Sequence, residues 1–333
     1  MRISRITILT TAILIFAGCK KEKTESVSEG DDCTITRTLR DGDVIPGQYI
    51  VAYKQGIETT AAASTQIARK SRDVLQENNI NTTSLESSFT GELSGFVAHL
   101  SETEAQRLAA DPAIDRVEPD RFIALSTCFT VVAPTLITWN INKVGYGNGI
   151  GKTAWIVDTG IDFDHPDLTV DVTRSKSFIS GQTSADDENG HGTHVAGIIG
   201  AKNNTIGVLG VASGATLVSL RVLDKDGTGN LSSIIEALSY INANANNIYT
   251  VSAVDSLDNF ANFSNFGNDV VDYAAPGVRI LSTYKDGLYA KMSGTSMAAP
   301  HVAGLLLLNG KALHFSTTAK NDPDGTPDLI VLK

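Results

Sequence analysis

Three residue types that together can cleave an acyl bond occur in short, glycine-containing segments of this 333-residue chain. Asp158 lies in "VDTG", His191 opens "HGTHVAG", and Ser296 lies in "GTSMAAP". A serine hydroxyl attacks a carbonyl efficiently only when a base takes its proton. A histidine can be this base, and a carboxylate can hold its imidazole in the useful tautomer. The three together favour a serine nucleophile, although each alone is also typical of a turn or a helix cap.

The segments around these residues predict the elements that position them. "TAWIVD", "TLVSLR" and "IYTVSAV" are short and apolar, as expected for buried parallel strands, and helices are expected at His191 and Ser296. A third helix is indicated by apolar residues that recur on one face, namely Leu231, Ile234, Ile235, Leu238 and Ile241. The alternation predicts an α/β fold with a mainly parallel sheet and helices on both faces. Asp158 then lies at the carboxyl end of a strand, where such sheets bind ligands.

A smaller domain is predicted over residues 46–124. "QYIVAYK", "GFVAHL" and "IDRVEPD" are typical of strands, and a helix is expected from about residue 57 to residue 79. A second helix opens at "SETEAQRLAADP", where Ser101 and Glu104 have the spacing of a capping box. The order of these elements matches a βαββαβ unit and predicts an α+β, ferredoxin-like fold.

The motifs "VDTGID", "NGHGTHVAGIIGA" and "MSGTSMAAPHVAG" follow one another in the order Asp, His, Ser. Together they resemble those of subtilisin-like serine proteases, the subtilases. Residues 46–124 resemble the inhibitory pro-domain of that family, and residues 125–333 resemble its peptidase domain. The resemblance implies that Asp158 orients the imidazole, that His191 is the general acid and base, and that Ser296 is the nucleophile.

The same resemblance implies partners and processing. Polypeptides are the expected substrates, and the pro-domain is expected to assist folding and to act as an intramolecular inhibitor after cleavage between residues 121 and 134. The chemistry requires no cofactor. Calcium binding is common in the family, but the sequence has no EF-hand-like spacing, so metal ligands stay unassigned.

Two segments usual in the family, a strand of the "MSLG" type and an "AAGN" turn whose asparagine donates to the oxyanion, are absent from the sequence. "EALSYINANANN" runs directly into "IYTVSAVDS", and His191 and Ser296 are 105 positions apart, several dozen fewer than expected. No nearby asparagine lies in the oxyanion motif; those present are Asn242, Asn244, Asn246 and Asn247. The sequence therefore leaves two main hypotheses open: a working endopeptidase, or a catalytically crippled or non-folding subtilase paralogue that acts at most as a binding protein. An esterase that uses the same triad is a weaker third.

The first residues predict export from a bacterial cell. Residues 1–19 have two arginines, an apolar run and a final "FAGC", which resembles a lipobox and predicts a lipid anchor at Cys19 that attaches the chain to a membrane. An ordinary signal peptide with secretion is the alternative. Residues 20–45 are polar and predict a tether. Cys33 and Cys128 are a candidate disulfide, with two free thiols as the alternative.

Charge and the remaining titratable residues narrow the other possibilities. The net charge of −10 argues against a nucleic-acid partner. A zinc site on Asp158, His191 and His194 is disfavoured because the two histidines are only three positions apart. His194 and His301 are expected to be packing residues. Acidic segments are expected in solvated loops, namely Asp162, Asp164, Asp167 and "ADDENG" at 185–190.

Overall fold

The computed structural model describes residues 42–54, 63–91, 93–124, 128–131, 137–241, 248–268, 270–310 and 313–333, all of which belong to one compact unit. The predicted signal peptide, Cys19, Cys33 and most of the tether lie outside the described residues. Within the described ranges, no helix has the length and apolar composition needed to span a bilayer.

Helices and strands alternate along the described part of the chain, and the labels below follow chain order. The α-helices are α1 (Ala63–Glu77), α2 (Glu102–Ala109), α3 (Trp139–Val144), α4 (His191–Gly200), α5 (Leu231–Tyr240) and α6 (Thr295–Asn309). The first strands are β1 (Val44–Tyr53), β2 (Leu85–Phe89), β3 (Gly95–His99), β4 (Ile114–Ala124), β5 (Cys128–Val131), β6 (Gly147–Asn148), β7 (Thr153–Asp158), β8 (Lys176–Ser177) and β9 (Ala212–Ser213). The later strands are β10 (Thr216–Arg221), β11 (Thr228–Asn230), β12 (Val251–Val254), β13 (Tyr273–Pro276), β14 (Ile280–Tyr284), β15 (Leu288–Ser293), β16 (His314–Thr318) and β17 (Leu329–Leu332).

The pro-domain region forms the predicted βαββαβ unit. Its strands pair antiparallel in the order β4-β1-β3-β2, and α1 and α2 cover one face of this sheet. Ser101 caps α2: its hydroxyl accepts from the Glu104 N–H at 3.4 Å, and the Glu104 carboxylate accepts from the Ser101 N–H at 2.8 Å. The capping box read from the sequence is therefore present and fixes where α2 begins.

Helix α5 has two apolar faces rather than the one that the sequence pattern predicted. Ala237, Ile234 and Ile241 pack on the sheet that contains β10. Leu231 and Ile235 instead pack on the second face of the pro-domain sheet, against Ile50, Phe89 and Val97. Leu238 remains exposed. The prediction was wrong because periodicity identifies apolar positions but not the number of partners that cover them.

The main sheet consists of parallel strands with helices on both faces, as predicted, but it is divided. Strands β7-β10-β8 form one sheet, and β12-β13-β17-β16 form a second, in which only β16 runs antiparallel. Leu217 packs with α4 residues on one face of the first sheet, whereas Val218 and Leu220 pack with α5 on the other. Helices α3 and α6 cover a face of the second sheet. The two sheets end at β7 and β12, which are edge strands in the described structure.

Candidate active site

Asp158 and His191 form a buried, hydrogen-bonded pair. Asp158 is the last residue of β7 and His191 the first of α4, and His191 Nδ1 lies 2.7 Å from Asp158 Oδ1. The imidazole is 2% exposed and the aspartate 8%. The Thr159 N–H also donates to Asp158 Oδ1, at 2.7 Å. A carboxylate on Nδ1 holds the proton at that nitrogen, which leaves Nε2 as the acceptor that a general base needs.

Two glycines of the "NGHG" motif allow the pair to meet. A Cβ on Gly192 would lie 2.1 Å from the carbonyl oxygen of Gly160, so the start of α4 can approach the loop after Asp158 only without a side chain there. Gly190 precedes the helix with a φ of 110°, a left-handed conformation that glycine adopts without strain. Both glycines therefore set the approach of His191 to the end of β7.

Ser296 lies in the first turn of α6 and is half-buried. The next residue, Met297, packs with Ile198 of α4, so the helix of the serine and the helix of the histidine are in contact. His191 Nε2 is buried and has no hydrogen-bond partner in the described structure, the Ser296 hydroxyl included. The structure thus joins two of the three predicted residues directly and places the third on the neighbouring helix.

Pro300 lies inside α6 rather than among its first four residues. Those four residues are the ones whose N–H groups lack helical partners. Position 300 is the sixth in the helix, so the proline removes the i→i−4 bond that would otherwise end on the Ser296 carbonyl.

His194 and His301 are fully buried, as packing residues should be. His194 Nε2 lies 2.9 Å from the Ile280 carbonyl and 3.0 Å from that of Ala290, and so joins α4 to the hairpin β14–β15. Burial lowers the pKa of His194 to about 3 and that of His301 to about 4. Burial therefore favours the neutral form of both rings, as expected for packing residues.

Two acidic residues expected in solvated loops are instead buried. Asp167 is fully buried and accepts bonds from Asn204 Nδ2 and the Val208 N–H; burial raises its pKa. Asp187, from the "ADDENG" segment, is 7% exposed. Sequence reasoning missed Asp187, because it lies three residues before the N-cap Gly190 and within a run of acidic residues that is typical of a solvated loop. No cluster of three or more His, Cys, Asp or Glu side chains suited to a metal occurs in the described ranges.

The last strand of the pro-domain pairs with the peptidase domain. Residues 122–124 of β4 run antiparallel to β11, the strand that leads into α5. The buried Asp120 carboxylate accepts from the Ser232 hydroxyl at 2.5 Å and from its N–H at 3.2 Å, which caps α5 across the interface. Glu236 of α5 accepts from the Ser87 hydroxyl of β2, and burial raises the pKa of this carboxylate. The pro-domain thus supports α5 at its start and along its outer face.

Comparisons with known proteins agree with this geometry. The Subtilase family model matches residues 151–252 and 236–314, and the Peptidase inhibitor I9 model matches residues 48–126. The chain is 32% identical to the thermostable alkaline protease of Halalkalibacterium halodurans, with 74% of this chain and 82% of that protein aligned. The chain belongs to the subtilase family. It is thus of the subtilisin type of serine endopeptidase and carries an inhibitor domain.

One further relative and one solved structure are also similar to this subtilase. It is 29% identical to the alkaline serine exoprotease A of Vibrio alginolyticus, over 90% of this chain and 66% of that protein. Among solved structures, a cold adapted subtilisin-like serine proteinase aligns with a TM-score of 0.50 and 27% identity, over 60% of this chain and 98% of that chain. The predicted fold class is confirmed.

The alignments also show that this subtilase is internally shortened. The match to exoprotease A runs over 366 positions but contains 90% of 333 residues, about 300, so about 66 positions lack a counterpart here. The same comparison gives about 60 positions for the thermostable alkaline protease, where 74% of the chain, about 246 residues, occupies 306 positions. The two matched ranges of the family model overlap at residues 236–252, which places the break between the second half of α5 and the start of β12.

Proposed function

We propose that this subtilase is the self-processing precursor of an exported serine endopeptidase that hydrolyses polypeptides with Asp158, His191 and Ser296 as its catalytic triad. The observation that carries the proposal is the 2.7 Å bond between Asp158 and His191, which leaves a buried, partnerless Nε2 at the start of α4. Helix α6, which bears Ser296, packs against α4. Ser296 and His191 therefore lie in the first turns of two helices that are in contact.

In the proposed reaction, His191 Nε2 takes the proton of the Ser296 hydroxyl as the oxygen attacks the carbonyl carbon of the scissile peptide. The imidazolium is stabilised by Asp158 and then gives the proton to the leaving amine. Water then attacks the acyl-enzyme while His191 takes its proton, and the proton passes to the Ser296 oxygen as the acyl group leaves. The N-terminal end of α6 favours negative charge beside the serine, but the oxyanion asparagine of the family has no counterpart in the sequence.

The pro-domain is proposed to inhibit the enzyme until it is removed. Its support is the pairing of residues 122–124 with β11, an edge of the peptidase domain on which an extended polypeptide lies as a strand. These paired residues lie at the start of the segment 121–134, where cleavage is expected. This geometry presents the end of the pro-domain as an extended peptide, the form in which a protease takes its substrate.

The test is the intact mass of the purified chain, produced without residues 1–19, beside its Ser296→Ala variant. Loss of about the first 125 residues in the wild type alone would support a working triad. Labelling of the wild type by a fluorophosphonate, with none in the variant, would support the same conclusion without requiring processing. Full-length masses in both proteins and no labelling would overturn the proposal.

A second candidate function is favoured by the internal break within residues 236–252. About 60 positions of two relatives have no counterpart in this chain, and in the described structure the parallel sheet is divided between β7 and β12. A subtilase without that part of its cleft would retain its fold elsewhere and at most bind polypeptides. Unlabelled but folded protein that still binds its own separately added pro-domain would support this function.

Export, anchoring and the disulfide are proposed from the sequence pattern of residues 1–19 and from the positions of the cysteines. Radioactive fatty acid incorporated into the wild type but not into Cys19→Ala would support a lipid anchor. If Cys33 and Cys128 pair, and cleavage falls before Cys128, processed protein stays joined to its N-terminal segment on a gel until reductant is added. Release without reductant of a chain that still contains Cys128 would contradict the pairing. Calcium binding stays a prediction.

A further inference from the structure

One carboxylate outside the triad, that of Asp187, receives five hydrogen bonds. Its Oδ1 accepts from the Thr159 hydroxyl and from the N–H groups of Asn189 and Gly190, each at 2.9 Å. Its Oδ2 accepts from the N–H and the hydroxyl of Thr193, at 2.9 and 2.6 Å. Bonds to an ionised acceptor are the stronger kind, so this buried group is held in one position and is a fixed point for whatever it contacts.

Asp187 caps the helix that begins at His191. The residue at the N-cap position is Gly190, which has no side chain to accept a bond from the first turn. The carboxylate of Asp187 takes that place, because it accepts the N–H of Thr193, the third residue of α4. Its negative charge is also favourable beside the N-terminal end of the helix. The start of α4, and with it His191, is therefore fixed relative to Asp187.

The same carboxylate also fixes the end of β7. The buried Thr159 hydroxyl donates to Asp187 and accepts from the N–H of Gly192, at 2.9 Å in each case. Thr159 directly follows Asp158, and Gly192 directly follows His191. The residues adjacent to both members of the pair are thus joined through one hydroxyl and one carboxylate.

We propose that Asp187 is a positioning residue that sets the contact between Asp158 and His191, an inference that rests on the proposed function. Without it, the strand end and the helix start can move independently, and the bond between Nδ1 and Oδ1 lengthens. A misplacement of about 1 Å in a catalytic group lowers rates by about 10²-fold. We therefore expect Asp187→Asn to label with fluorophosphonate about 10²-fold more slowly than the wild type.

The decisive readout follows the bond itself and requires no catalysis. In the full chain with ¹⁵N-labelled histidine, the hydrogen-bonded Nδ1–H proton of His191 gives a downfield resonance, assigned by its loss in His191→Gln. Asp187→Asn keeps the side-chain volume but replaces one acceptor oxygen with a donor. We expect the resonance to be lost or shifted upfield. Asp186→Asn removes the same charge from the adjacent, exposed residue and is expected to change neither the resonance nor the labelling.

A purely structural role would lower the melting temperature of Asp187→Asn while the resonance stayed in place. A folded Asp187→Asn protein that keeps the wild-type resonance would thus overturn the inference. If that variant does not fold, Thr159→Val removes only the hydroxyl link, and retention of the resonance in it would overturn the inference equally. A wild type that shows the resonance but is never labelled would overturn the proposed function and leave the role of Asp187 standing.

Discussion

The carboxyl end of β7 and its outer edge differ sharply, although both belong to one six-residue strand. At its carboxyl end, Asp158 meets His191 inside a set of bonds that involves Thr159, Gly192 and Asp187. Along its outer side, β7 has no paired strand in the described structure, and four of its six residues are only half-buried. A local site of this kind depends on a few adjacent segments, whereas a sheet edge depends on strands that come from elsewhere in the chain.

The backbone pattern shows which groups of β7 lie on the open side. The carbonyls of Lys152 and Asp158 accept from the β10 side, at Thr216 and Val222. Because successive residues of a strand alternate in direction, the N–H groups of Thr153, Trp155 and Val157 point to the outer edge. The outer edge of β12 is different, since Ala253 is bonded there to neighbouring loop residues. In the described structure, the sheet edge next to the break is therefore more open at β7 than at β12.

The largest expected effect comes from supplying the missing segment. We predict that the corresponding segment of the Halalkalibacterium halodurans relative, inserted in place of residues 242–247, raises the fluorophosphonate labelling of Ser296 by at least about 10²–10³-fold. An oxyanion donor alone accounts for that range, according to the standard example from subtilisin itself. The matched control is the same insertion with Ser296→Ala, which should not be labelled.

If the chain with the insertion folds but its labelling is unchanged, the proposed difference between the two parts of β7 would be contradicted. That result would show that the open edge of β7 does not limit the site and that the Asp158–His191 pair is itself inadequate. Equally fast labelling of the original chain and of the chain with the insertion would show that the site needs nothing from the missing strands. Either result would be read beside the circular dichroism spectra, which establish that both chains are folded.

Hydrogen exchange tests the open edge without reference to activity. We predict that the amides of Trp155 and Val157 exchange at least about 10²-fold faster than those of Ala154 and Ile156, because only the N–H groups of the latter two point towards β10. Amide exchange resolved by NMR is the measurement. Uniformly slow exchange along β7 would show that another segment covers this edge, and the inserted chain should show slow exchange at all four.

Much of the fold could be predicted from the sequence because its signals are local. The capping box at Ser101, the β-branched strand before Asp158 and the helix after His191 each depend on neighbouring residues. The burial of Asp187 could not be predicted, because its donors come from segments on both sides of the pair, and the run of acidic residues around it is typical of a solvated loop. The two apolar faces of α5 could not be separated for a similar reason: one partner is the sheet, and the other is a domain more than a hundred residues earlier in the chain.

Helix α5 extends the comparison, since it ends next to the break and depends on the pro-domain for its cap. We predict that Asp120→Ala destabilises α5 by about 1 kcal/mol, the usual cost of losing an N-cap acceptor. Exchange should increase in the amides of Ser232 and Ser233 but not in α4, whose cap is Asp187. The exposed Asp115 supplies the matched control, Asp115→Ala, which should affect neither helix. Faster exchange in both helices would show that the two regions are not independent.

The smallest effect concerns Glu236, on the face of α5 that the pro-domain covers. Burial raises its pKa, the bond from the Ser87 hydroxyl and the charge of Lys176 oppose this, and the charges of Glu86 and Asp120 add to it. A group whose pKa is raised on folding stabilises the fold at acidic pH, below its ordinary pKa, and this contribution is lost as the pH rises through the raised value. Glu236→Gln should therefore match the wild type at pH 4 and gain stability relative to it by pH 7.

Denaturant unfolding of the full chain between pH 4 and pH 7 measures this difference. We expect less than about 1 kcal/mol, since the carboxylate remains partly in contact with solvent. Glu77→Gln, which removes an exposed carboxylate from α1, is the matched control for the loss of a charge outside this interface. A Glu236→Gln protein that loses stability as the pH rises would reverse the sign. It would mean that the ionised carboxylate holds α5 to the pro-domain, and that the side of the molecule next to the break is fixed by charge rather than by burial.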